Sequence, residues 1–234
     1  VVNLNDLTGL PKSLIQELSY FNEEFKSTDF LEHLEENWEL GELIIKIDEF
    51  CMENEVIGFH YTRALPEDIL ARGLLARSGQ DIRTEFLEKH GPLFSQSEIH
   101  QIKDAWDRTF DDHDREYRDY HVFFNFTLTA LNRNGSELLL ENYGGEQIYW
   151  PLYEMEGIKN KIVSIGTPLI VKCRLNPNGL STLIQYPWGK IATSTYHRTQ
   201  NPKAYQTDQD GYQRTTVPPN KIELIKLEEL NSNG

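Results

Sequence analysis

The stretch EVIGFHYTRALPEDILARGL, residues 55–74, sets an imidazole, a phenol, a hydroxyl and a guanidinium on four successive residues, His60, Tyr61, Thr62 and Arg63. Val56, Ile57 and Phe59 before them are apolar, so the run reads as a strand with alternating side chains. His60 and Thr62 then share one face, and Phe59 and Tyr61 the other. Imidazole and hydroxyl both donate and accept hydrogen bonds, which suits the ribose hydroxyls and carboxamide of a bound dinucleotide. A histidine satisfied within the strand end is the plainer alternative. Arg63 can meet a pyrophosphate with two parallel N–H bonds. Its neighbouring place on the strand turns it away from His60, and a structural ion pair is the equal alternative.

A second stretch, ENYGGEQIYW at residues 141–150, has the chemistry of a close-approach loop. Gly144 and Gly145 let a backbone come near a ligand. Glu146 follows at once, with Tyr143 and Tyr149 on either side. The carboxylate faces a pocket in one reading and is an exposed charge after a Gly-Gly turn in the other. The DDHD run at 111–114 resembles a metal cluster only on paper. On a helix its four side chains diverge, and only Asp111 and Asp114 share a face. His90, His100 and His121 have no ligand-like spacing, so no metal is expected. The chain has no G-x-G-x-x-G, no G-K-[ST] phosphate loop, no G-x-S-x-G elbow and no H-E-x-x-H.

Helices are expected to lead the chain. Pro11 and Ser13 open one whose stripe is Leu14, Ile15, Leu18, Phe21 and Phe25. Thr28 is expected to cap another, with Phe30, Leu31, Leu34, Trp38, Leu43, Ile44, Ile47 and Phe50. Ser95 and Glu98 form an S-x-x-E capping box at the head of a long helix over residues 95–118. Its stripe is Ile99, Ile102, Trp106, Phe110 and Tyr117. Strands are expected at 121–128, 167–175, 181–186 and 190–195, and over 215–230 with a turn at Pro218–Pro219. Residues 198–214 are polar, carry Pro and Gly, and read as a mobile loop. Helices ahead of a strand-rich remainder predict an α+β chain. Its parts would be an N-terminal helical segment, residues 1–54, and a domain, residues 55–234.

With 234 residues, 38% of them hydrophobic, the chain can bury a core. Its net charge of −14 opposes non-specific nucleic-acid binding, which depends on neutralising phosphates. No apolar run approaches the length of a membrane span, and mean hydropathy is −0.55. Cys51 and Cys173 lie too far apart in sequence for a disulfide framework or a zinc site, so a reducing cytoplasm is expected. A chain that starts at Val1 is expected to have lost residues upstream, and no signal-peptide pattern is present.

FHYTRALPEDILARGL resembles the opening strand and helix of the ADP-ribosyltransferase fold, shared by poly-ADP-ribose polymerases, RNA 2′-phosphotransferases and bacterial ADP-ribosyltransferase toxins. His60, Thr62, Ile69, Leu70, Gly73 and Leu74 fill that family's His-x-Thr and IL..GL positions. VFFNFT resembles its second strand, where Phe124 would be the aromatic near nicotinamide. TPLIVKCRL resembles its middle strand, and TTVPPNKIELIKL its closing strand pair. The resemblance spans about residues 56–230. Two departures stand out. The late-strand glutamate of the polymerases is missing, and Gln213 is the nearest residue to its place. GGE followed by Tyr is foreign to the polymerases, but resembles a stretch of bacterial proteins that also carry His-Tyr-Thr-Arg.

The resemblance implies a split antiparallel β-sheet core and NAD as co-substrate, without a metal. It implies mono-ADP-ribosyl transfer to a protein or nucleic-acid acceptor, in a toxin or phage-defence setting. Glu146, His60 and Gln213 become the catalytic candidates. His60, Tyr61, Thr62, Arg63, Phe124, Tyr143 and Tyr149 become the NAD-binding ones. The front helices would be dispensable for NAD binding and would receive an antitoxin or regulatory partner; no membrane is involved. Two alternatives stand beside this: a non-catalytic nucleotide-binding relative of the same fold, and a scaffold that docks a partner.

Overall fold

The structure is a computed structural model that describes residues 1–34, 36–132 and 135–227, the side chains of Asp112, Asp114 and Asn132 excepted. The chain is α+β, mixing helices with small antiparallel sheets. It begins with α1 (Lys12–Ser19), α2 (Asn22–Ser27) and α3 (Trp38–Met52), then β1 (Val56–Ala64). Next come α4 (Pro66–Arg72), α5 (Gly79–His90), α6 (Gln96–Thr109), α7 (Asp112–Arg118) and β2 (Val122–Phe124). The short helices α8 (Glu137–Glu141) and α9 (Glu146–Tyr149) lead to α10 (Glu156–Val163) and β3 (Thr167–Leu175). The described chain closes with α11 (Pro187–Gln200), β4 (Gly211–Gln213) and β5 (Ile222–Lys226). One sheet has the order β1-β3-β5, and β2 pairs with β4 in the other.

Two compact units divide the chain. The first comprises Val1–Phe59, Phe123–Asn132 and Cys173–Tyr212. Its front helices bury Leu14, Leu18 and Phe25, as their stripe predicts. Thr28, however, does not open the next helix: its backbone is extended and it is the C-cap of α2. The following helix starts at Asn37, whose side-chain oxygen accepts from the N–H groups of Glu39 and Leu40. Phe30, ahead of that helix, and Trp38, its first residue, are both exposed. Leu40, Leu43, Ile44, Ile47 and Cys51 do face inward.

The largest correction in this unit is α11. Residues 190–195, expected as a strand, lie within a helix that buries Trp188, Ile191, Ala192 and Tyr196. Gly189 explains why the helix holds. A Cβ there would sit 2.0 Å from the Ile44 carbonyl oxygen, so α11 comes against α3 at backbone distance. The Asp48 carboxylate accepts from Trp188 N at 2.9 Å and Gly189 N at 3.2 Å. Tertiary burial overrides the strand preference of Ile and Thr.

The expected strand at 181–186 reduces to one pairing, Ser181 with Tyr212. The expected mobile loop at 198–214 is a helix end, a pinned segment and β4. Asp208 accepts from Phe126 N at 3.1 Å, Thr127 N at 2.9 Å and Thr127 Oγ1 at 2.6 Å, and Gln206 is buried. The same carboxylate shortens the strand expected at 121–128, because two of its N–H groups bond Asp208 rather than a neighbouring strand.

The second unit comprises His60–Val122, Arg133–Lys172 and Gln213–Gly234. Its core gathers Phe86, Phe94, Ile102, Trp106, Phe110, Ile148 and Leu152. The Trp106 indole N–H donates to the Ile148 carbonyl at 3.0 Å. Ser95 and Glu98 form the expected capping box on α6. The expected long helix is two, because Phe110 leaves the helical region to enter the core (φ −98°, ψ 91°). Tyr117, beyond that break, is exposed. Gly73 ends α4 at φ +79°, where a Cβ would meet the Val217 carbonyl oxygen at 2.0 Å. Leu74 pairs with Val217, and β5 follows the turn at Pro219–Lys221. Residues 228–230 of the closing strand expected at 215–230 lie outside the described residues.

Candidate functional site

The two stretches singled out by their chemistry meet in the second unit. Arg63, near the end of β1, pairs with Tyr143 in a parallel bridge. Gly144 N donates to the Arg63 carbonyl at 3.2 Å. The chain then turns through Gly144 at φ +82° and Gly145 at φ +70°, a region that side chains with a Cβ avoid. Gly145 has open space where a Cβ would stand. Glu146 starts α9 directly after this turn, and its side chain is 46% exposed. The Arg118 guanidinium pairs with the Glu146 carboxylate and lies over the Trp150 ring, 4.4 Å from its centroid.

The other candidates stand as follows. His60 is half-buried, while Tyr61 and Thr62 are buried. Arg63 is half-buried and donates from Nε to the Ile165 carbonyl at 2.8 Å. Burial pushes its guanidinium below its usual pKa. Tyr143 stands edge-on to the His90 ring at 4.8 Å, and burial pushes its hydroxyl up to about 12. Tyr149 is 6% exposed and belongs to the core cluster. Gln213 is buried and donates to the Thr215 carbonyl at 2.7 Å. Phe124 is 2% exposed, in the first unit. Tyr149, Phe124 and Gln213 are thus engaged by the fold. Glu146 is the open carboxylate beside the paired backbones.

Sequence reasoning singled out Arg63 but missed the other cations of this unit that carry ion pairs. Arg72 Nη2 donates to Glu85 Oε1 at 2.7 Å, and Arg77 Nη1 donates to Glu85 Oε2. The Arg72 hydrogen bond is the largest of the causes that hold the Glu85 carboxyl down at about 2. Lys89 pairs with Asp68 nearby. Arg118, the partner of Glu146, was missed as well. Glu85 and Lys89 stand four apart, a local signal of a helical ion pair, but both take partners from outside α5. Those choices depend on tertiary structure.

Among the described residues no group of three or more His, Cys, Asp or Glu could hold a metal ion. Two side chains of the DDHD run lie outside those residues. Cys51 and Cys173 are buried thiols, and burial pushes both pKa values up, that of Cys51 to about 12. Neither has the thiolate character of a nucleophile. No described helix is long and apolar enough to cross a membrane. No protein-family model, curated protein or solved structure matches this chain.

Proposed function

We propose that the chain is an NAD-dependent mono-ADP-ribosyltransferase acting on a protein or nucleic-acid acceptor, of the toxin or phage-defence kind, with a split-sheet core of the ADP-ribosyltransferase type. The observation that carries this reading is the backbone pairing of Arg63 with Tyr143. It joins the His-Tyr-Thr-Arg strand to the Gly-Gly-Glu loop, which lie far apart in sequence. An open carboxylate follows a turn that lets backbone approach a ligand.

The chemistry asked of these residues is electrostatic. The bond between nicotinamide and ribose breaks, and its electron pair leaves with nicotinamide. Positive charge develops on the ribose C1′. The acceptor nucleophile then bonds C1′ and gives up its proton. Glu146 would stabilise the charge and hold the ribose 2′-hydroxyl. His60 would orient the adenosine ribose. Arg63 or the backbone around Gly144 and Gly145 would meet the pyrophosphate. Tyr143, beside that backbone, would border the ligand.

The test is nicotinamide release from NAD, measured with and without cell lysate, for wild type and Glu146→Gln. Release by the wild type, reduced about 100- to 1000-fold in the variant, is expected. A wild type that binds NAD without releasing nicotinamide would establish the second reading, a nucleotide-binding relative without catalysis. One observation favours that second reading: Arg118 already neutralises the Glu146 carboxylate.

A further inference from the structure

Arg72 and Arg77 share a single carboxylate, that of Glu85. Two guanidiniums against one carboxylate leave one excess positive charge, in a chain whose net charge is −14. The adjacent Lys89–Asp68 pair is neutral and does not cancel it. Each guanidinium carries five N–H donors, and Glu85 takes one from each. Among the described residues, Arg77 Nε is shielded from solvent and has no hydrogen-bond partner. A buried donor left in this state is unfavourable.

The backbone beneath the arginines is fixed before anything binds. Gly73 and Leu74 are held against Val217. Ala76 N donates to Thr216 Oγ1 at 3.2 Å, and the Arg77 carbonyl accepts from Tyr120 N at 2.8 Å. A site assembled this way loses little freedom on binding.

We propose that Arg72 and Arg77 form a binding site for a phosphate-type dianion. A phosphate offers more acceptor oxygens than a carboxylate and meets guanidinium forks in the same parallel geometry. It would take the donors that Glu85 leaves over and balance the excess charge. Phosphate of this kind comes either from a nucleotide or from a nucleic-acid strand, and both present the same group. The site stands independently of the transferase reading, because nothing in it requires NAD or catalysis.

The experiment is calorimetric titration at low ionic strength with inorganic phosphate, pyrophosphate, ADP and a 5′-phosphorylated oligonucleotide. Saturable binding of at least one probe is expected. Arg77→Gln should weaken it at least tenfold, and Arg72→Gln should weaken it too. Glu85→Gln should strengthen it, because the competing carboxylate is gone. Opposite signs for the arginine and glutamate variants separate a ligand site from a purely structural triad, in which all three changes would only destabilise. ADP as the preferred probe identifies a nucleotide as the source, and the oligonucleotide identifies a strand. If Arg77→Gln fails to fold, Arg72→Gln, whose side chain is 43% exposed in the wild type, carries the comparison. The proposal is overturned if the wild type binds none of the four probes. It is also overturned if the folded arginine variants bind as the wild type does. Nicotinamide release enters none of these readings, so failure of the transferase assignment would leave them intact.

Discussion

Glu146 and Gln213 illustrate how differently two candidate residues can be committed by a fold. Gln213 is buried, and its amide already donates to the Thr215 carbonyl. Glu146 is half exposed, and its carboxylate accepts from the Arg118 guanidinium. Gln213→Ala should therefore lower nicotinamide release by no more than the loss of one neutral hydrogen bond allows, about 1 kcal/mol or roughly five- to tenfold. A loss of several hundredfold would move the catalytic role to the segment around β4. Glu85 allows a prediction that needs no assay of activity. Its carboxyl is held at about 2 against an ordinary 4.5, chiefly by Arg72. A depressed pKa means that the native chain keeps this group charged where the unfolded chain would protonate it. The resulting stability is fully present above about pH 4.5 and fades as pH falls toward 2. Glu85→Gln should remove that part of the acid sensitivity and leave the rest, since Glu98 is held down in the same range. Urea midpoints of both proteins between pH 2 and 6 check it. Parallel curves would mean that the pairing with Arg72 and Arg77 contributes nothing in solution.

Elements were legible where their causes are local. The capping box of Ser95 and Glu98, the β1–α4 unit closed by Gly73, and the apolar run of β3 all use neighbours in sequence. The helix α11 was not legible, because its cause lies elsewhere. Ile, Thr, Ser and Thr favour extended structure in isolation, and nothing nearby announces that α3 will receive Gly189. The pinned segment around Asp208 is similar: a polar, Gly-containing run reads as a loop until Phe126 and Thr127 supply its partners. In the candidate site, the Gly-Gly turn and Glu146 were visible from composition. Arg118, Arg72 and Arg77 were not, because a surface-type arginine gives no sign of its partner. Gly189 also offers a test in which two effects oppose. Alanine is favoured over glycine in a helix by about 1 kcal/mol. The added Cβ, however, would fall 2.0 Å from a backbone oxygen of α3, and overpacking of this kind costs about 1–3 kcal/mol. Gly189→Ala should therefore lower the thermal midpoint. A raised midpoint would show that α11 can withdraw from α3 at little cost.

At the scale of the molecule, the front of the chain cannot be treated as an appendage to the segments that follow it. Judged from where the family resemblance begins, residues 1–53 are expected to be dispensable for NAD binding. The first unit argues otherwise, since its helix α11 depends on those residues for both packing and hydrogen bonds. Leu4 supplies the carbonyl for Thr195 Oγ1 at 2.7 Å, and Phe25 the carbonyl for His197 Nε2 at 2.8 Å. Asp48 receives two N–H groups at the start of the helix. Each of these hydrogen bonds contributes about 0.5–1.5 kcal/mol net. The same deletion would bare Trp188, Ile191 and Tyr196, each of which loses on the order of 2 kcal/mol when its burial is undone. Those sums are comparable to the whole stability of a typical domain, about 5–15 kcal/mol. A chain beginning at Asn54 should consequently lose the structure of residues 173–212 and associate through the exposed α11 face. Far-ultraviolet circular dichroism, thermal melting and sedimentation of that truncated chain are the measurements. A cooperative melt with native helicity over α11 in a monomer would show that the front helices only lean on this unit and do not complete it.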